Sequence, residues 1–189
     1  NSDNNFDPVA NQTVTATTTD NDVAGFTIAQ TGGATSVAET GTTDTFTIVL
    51  DAQPVSDVVL TVTSSDTGEA TVTSSLTFTN ANWNTPQTVT VTGVDDNIID
   101  GTISSTITVS VNDGSSNDSF DPVADKTVTA STTDNDVAGF TIAQTGGSTS
   151  VAETGTTDTF TVVLNAQPDS DVIFAITSSD TGEATVTSS

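Results

Sequence analysis

Cysteine, histidine, methionine, tyrosine and arginine do not occur anywhere in the 189 residues, and the single basic residue is Lys126. Without cysteine there are no disulfides and no thiolate metal sites, and without imidazole the usual ligand of zinc and copper is missing too. With one cation in the chain, nucleic acid and anionic membrane lack the side chains that displace their counterions. No apolar run reaches membrane-spanning length, so direct membrane insertion is not expected. Catalytic chemistry is left with carboxylates alone, since no histidine, cysteine, tyrosine or glycine-rich phosphate loop is available, and the chain does not read as an enzyme. Aromatics are few, eight Phe and one Trp.

What is present in excess is acid: 25 Asp and Glu give a formal charge of −24. Like charge at this density opposes a compact state unless the chain is disordered or binds counterions specifically. Oxygen ligands suit calcium. The second conspicuous presence is repetition. Phe6 to Ser75 returns as Phe120 to Ser189 at an offset of 114, and the two copies differ at only eleven of seventy aligned positions. A period of this length exceeds the roughly 20 to 50 residues of a solenoid unit and fits one independent domain per repeat. The expected organisation is the last strand of a preceding repeat in residues 1–22, a complete repeat in 23–136, and the opening part of the next in 137–189.

Within a period, branched apolar residues alternate with Thr and Ser. Thr45 to Leu50, Asp57 to Thr63, Thr88 to Val91, Thr106 to Val111 and Thr127 to Ala130 each put hydrocarbon on one face and hydroxyls on the other, the pattern of half-buried strands. With Gly25 to Ala29, Glu69 to Thr73 and Ser75 to Thr79 this gives seven or eight strands, and no segment shows helical periodicity. The fold class expected is an all-β antiparallel sandwich of immunoglobulin-like type.

The acidic residues fall where strands end. Asp20-Asn21-Asp22 and Asp134-Asn135-Asp136 precede Val-Ala-Gly-Phe-Thr-Ile, Glu39 follows the first strand, Asp66 the third, and Asp95-Asp96-Asn97-Ile98-Ile99-Asp100 joins two later ones. If these turns share one end of the sandwich, the carboxylates converge, and calcium, with six to eight oxygens at about 2.3–2.6 Å, is the ion that such a cluster suits. The plainer reading of an acidic turn residue is that it accepts hydrogen bonds from its own backbone. That reading is preferred for Asp44, Asp57 and Asp113.

Val37-Ala38-Glu39, Thr63-Ser64-Ser65-Asp66-Thr67-Gly68, Val94 to Asp100, and Thr133-Asp134-Asn135-Asp136 followed by Val137-Ala138-Gly139-Phe140 resemble the Calx-β domains, a family common in giant bacterial surface proteins. The resemblance covers the complete repeat and implies a calcium cluster at the C-terminal end of the domain. Carried over by position, it implicates Glu39, Asp66, Asp95, Asp96, Asp100, Asp134 and Asp136, with the Ile98 carbonyl as a backbone ligand. The chain departs from the family's Gly-Ser-Asp-Tyr after the third strand, where Glu69-Ala70-Thr71-Val72 stands instead. It also has Asn135 in place of an aspartate and Asp100 in place of a longer glutamate. These departures imply fewer or weaker calcium ions than in the strongest binders, and Glu69 reads as peripheral.

The function expected is a calcium-rigidified spacer of a large extracellular adhesin or fibre on a bacterial surface, its partners being calcium and neighbouring repeats. Strands of about ten residues would make each repeat about 35 Å long. Two alternatives stand beside it: a self-associating filament or surface-layer subunit, and a calcium-dependent glycan- or cell-binding module. Trp83 is expected to pack or cover a turn in preference to stacking on sugar. Asn11-Gln12-Thr13 and Asn117-Asp118-Ser119 match the glycosylation acceptor pattern. Lys126 is Gln12 in the other copy and is not a feature of the repeat.

Overall fold

Period-two alternation commits each segment to one buried and one solvated face, and the buried faces must find each other. A computed structural model, which describes residues 4–6 and 9–187, shows how they do. Eleven strands form: β1 (Phe26–Gln30), β2 (Thr35–Ala38), β3 (Thr43–Leu50), β4 (Val58–Ser64), β5 (Ala70–Val72), β6 (Ser75–Phe78), β7 (Gln87–Gly93), β8 (Ile103–Val111), β9 (Lys126–Thr133), β10 (Phe140–Gln144) and β11 (Phe160–Leu164). The described residues contain no α-helix, only three short 3₁₀ turns.

One sheet has the order β1-β3-β7-β5 and the other β2-β9-β8-β4-β6. Between them lies a core of fully buried side chains led by Phe26, Phe46, Phe78, Ile48, Leu60 and Ile107. The outer faces carry hydroxyls in register, as in the pairs Thr43–Thr92, Thr45–Thr90 and Thr47–Thr88. Such cross-strand threonine pairs support the sheet without adding charge. Trp83 packs on the edge of the core and its carbonyl accepts from Leu50 N–H, the packing role expected of it. Lys126 lies over the Phe26 ring and donates to the Phe26 carbonyl.

Two features differ from the sequence reading. Thr35–Ala38, too short and with a single branched apolar residue, gives no clear strand signal, yet it forms β2. It pairs with β9 in parallel, so the sandwich is antiparallel except at this edge. The chain reaches it by leaving β1 in one sheet and crossing to the other through Thr31-Gly32-Gly33, where φ values of +70° and +85° at Gly32 and Gly33 require glycine. Nine strands therefore belong to Phe26–Thr133, where seven or eight were expected. In addition, Ala10 to Asp22 forms no strand, although Gln12 to Thr19 differs from β9 at only two positions. β9 owes its place to β8 on one side and β2 on the other.

After Thr133, β10 and β11 pair as β1 and β3 do, Phe140 opposite Leu164 as Phe26 is opposite Leu50. Their apolar faces remain open: Phe140 is 53% exposed where its counterpart Phe26 is 0% exposed.

Candidate metal centre

Besides Glu69 at the start of β5, three pieces of chain meet beyond the C-terminal end of β2. Glu39, directly after β2, is fixed by its N–H to the Thr133 carbonyl at 3.1 Å. Gly93, closing β7, lies so close to Ala38 that any Cβ there would overlap the Ala38 carbonyl, which is how β7 delivers the Asp95–Asp100 loop to the same place. The third piece is the segment leaving β9, Asp134 to Asp136.

The result is two overlapping carboxylate groups that share Glu39. Glu39, Glu69 and Asp100 offer oxygens that all lie within 4.8 Å of one another, and so do Glu39, Asp134 and Asp136. Glu39 is 1% exposed and Glu69 6% exposed. Glu39 Oε1, Glu69 Oε2 and Asp136 Oδ2 are buried with no hydrogen-bond partner among the described residues. Burial pushes the Glu39 carboxyl above its ordinary range against the lowering effect of the Asn135 N–H, with Asp134, Asp96 and Asp100 adding repulsion. Burial likewise raises Glu69, helped by Asp100, Glu39, Asp66 and Asp96. Asp136 is raised by burial and then by Asp134, Asp95, Asp96 and Asp100. Asp134 moves the other way, held low by the N–H groups of Asp136 and Gly101.

Of the residues singled out in the sequence, Glu39, Asp100, Asp134 and Asp136 come within shared ligand distance. Asp95, Asp96 and Asp66 surround them. Asp95 Oδ1 accepts from Asn135 Nδ2 at 2.7 Å, Asp96 Oδ1 from the Ile98 N–H at 2.7 Å, and Asp66 Oδ1 from the Gly68 N–H at 3.0 Å. Ile98 is half-buried and forms an isolated parallel bridge to Gln167. Glu69, read as peripheral, instead joins one of the two groups: its carbonyl accepts from Val94 N–H and from the Thr132 hydroxyl, which holds it between β7 and β9. No local signal marks it, since alternation beside the buried Ala70 of β5 would turn Glu69 outward.

Elsewhere two acids accept from backbone N–H groups near them in the chain. Asp44 accepts from Ser36 and Thr45 N–H groups, and Asp158 repeats this with Ser150 and Thr159, which lowers its carboxyl. Asn117 of the second glycosylation pattern is buried and donates to Ser56, so its amide nitrogen is engaged.

A hard divalent cation fits the donor set. Buried anionic oxygens without donors are costly unless a positive charge neutralises them, and the only basic side chain in the chain is held at the Phe26 carbonyl. All-oxygen donors are the kind that hard cations such as calcium take, and Glu39 is common to both groups.

No family model and no curated protein matches the chain. Solved structures resemble it in part. The Escherichia coli chaperone DraB is 10% identical over 62% of this chain and 59% of its own, with a TM-score of 0.44. The apo-form Calx CBD1 domain is 13% identical over 59% of this chain and 98% of its own, with a TM-score of 0.42. Domains 1–6 of surface layer protein SbsC are 22% identical over 82% of this chain, with a TM-score of 0.42, and the chain spans 23% of that protein's length.

Proposed function

We propose that the chain is a calcium-stiffened structural repeat of an extracellular surface protein. The observation that supports this is Glu39, buried, with one oxygen unpartnered, standing between Glu69 and Asp100 on one side and Asp134 and Asp136 on the other. Calcium bound there ties the β7–β8 loop and the end of β9 to the tip of β2, and so holds the segment that leads to β10. One ion, or two bridged by Glu39, would take ligands from all three pieces of chain. Extracellular modules bind calcium in the range of ~10⁻⁴ to 10⁻³ M, which suits a site exposed to millimolar calcium outside cells. In an array, the task is to hold an adhesive end at a distance.

Calorimetric titration of the metal-free protein with calcium, paired with thermal melts, tests this. Saturable binding with a raised Tm, lost in Asp134→Asn/Asp136→Asn, is expected. No heat at millimolar calcium and an unchanged melt would reject it.

A second reading, self-association into a filament or surface layer, is favoured by the open apolar face of β10 and β11, where Phe140 and Ile142 are exposed. Light scattering across a concentration series tests that reading.

A further inference from the structure

The loop that carries Asp95, Asp96 and Asp100 also touches the unit beyond the sandwich. Gln167 N–H donates to the Asn97 carbonyl at 2.6 Å, and Ile98 pairs with Gln167 as an isolated parallel bridge. Beside this contact Ile99 lines an apolar cavity of ≈190 Å³ together with Gly139, Phe140, Ala166, Pro168 and Phe174, all from the segment after Thr133. The covalent connection between the two units runs separately through Asp134 to Gly139. It too is anchored to the cluster, since Asn135 N–H donates to Glu39 Oε2 and Asp134 Oδ2 accepts from Gly101 N–H.

We infer that Asn97-Ile98-Ile99 is a latch that gives each repeat a second point of attachment to the next. A single covalent linker leaves the following unit free to pivot, whereas two separated attachments remove most of that freedom. Both attachments end at the same acidic end of the sandwich: the linker on Glu39 and Asp134, the latch between Asp96 and Asp100. The receiving turn is preserved in the completed sandwich, where Gln53, the counterpart of Gln167, is exposed between the buried Ala52 and Pro54. The occupant of the latch is therefore the β3–β4 type turn of the next repeat. The calcium dependence of the latch rests on the function proposed above, because an ion held by Asp100 fixes the loop next to Ile99.

The chain has no cysteine, so a Thr77→Cys/Thr161→Cys pair at exposed sites, one in each unit, accepts spin labels at those two positions alone. Pulsed distance measurement in millimolar calcium is expected to give a narrow distribution for the labelled parent, and one at least about twofold wider when Ile99→Ser is added. Equal widths in the two would overturn the latch. Calorimetry on the same proteins separates the two ideas. If Ile99→Ser binds calcium within about threefold of the parent yet stays wide, the latch stands and so does the ion site. If neither protein binds calcium, the proposed function falls, and the latch is judged by the same comparison of widths in the absence of the ion. A Gln167→Pro variant, which removes the bridging N–H, must widen the distribution as well, and an unchanged width there would also count against the latch.

Discussion

Glu39 concentrates the chemistry of the molecule in one side chain. Its buried oxygen without a donor makes the metal-free fold less stable than it would be with a neutral group of the same shape. Glu39→Gln is therefore expected to raise the Tm of the metal-free protein by a few degrees, given that ~1 kcal/mol moves a domain of ~100 residues by about 4–8 °C. The same substitution should shrink or abolish the calcium-induced shift, and melts with chelator and with calcium check both halves. The direction of the pKa shifts gives a second outcome. Glu39 and Glu69 bind protons more tightly folded than unfolded, so the metal-free protein gains stability as pH falls from neutral towards the ordinary glutamate value of 4.5. Asp134, held low in the fold, contributes stability present above the ordinary aspartate value of 3.8 and lost as pH falls through its depressed folded value. A Tm maximum at mildly acid pH is expected without calcium, and saturating calcium should flatten the rise, which a pH series of melts will show.

At the scale of the element, the site depends on how closely β7 passes β2. Gly93 is the contact point, and a methyl group there meets the Ala38 carbonyl, one residue before Glu39. Gly93→Ala is expected to cost about 1–3 kcal/mol by overpacking and to weaken calcium binding at the same time, because relief of the clash moves β2 and Glu39 with it. Chemical denaturation and calorimetry on the variant measure the two effects. The long strands were legible from the alternation of apolar residues with threonine, and their ends fell within a few residues of the expected limits, as Thr106 to Val111 within β8 shows. β2 was not legible, since a four-residue strand with one branched apolar side chain carries too little periodicity. Glu69 was misjudged for a related reason: its burial comes from β9 crossing over it, a contact 63 residues away in sequence.

For the whole molecule, a charge of −24 with one basic residue makes electrostatic self-repulsion the dominant long-range force. Monovalent salt should raise the Tm of the metal-free protein gradually, through screening over a Debye length of about 8–10 Å near physiological strength. Calcium should act at concentrations too low to screen, and should reduce the spread of overall dimensions seen by small-angle scattering. If sodium chloride at equal ionic strength reproduced the whole calcium effect on Tm, the response would be screening and not a site.

The sequence by itself determined the strand periodicity, the repeat, the absence of cationic partners and the clustering of acids at strand ends, because each is written in neighbouring residues or in their count. The tertiary structure decided which of those strands exist. Thr35–Ala38 and Thr149 to Ala152 are identical, yet only the first is a strand, because β9 lies beside it. Ala70–Val72 and Ala184 to Val186 are identical, and only the first has β7 to pair with. Phe26–Gln30 and Phe140–Gln144 are strands in both copies, since β3 and β11 follow each within the same stretch of chain. A strand's hydrogen bonds are made by its neighbour, so a sequence can propose a strand but only the presence of that neighbour forms it. The acidic cluster obeys the same logic: its carboxylates come from the ends of β2, β7 and β9 and the start of β5, and only the pairing of those strands brings them together.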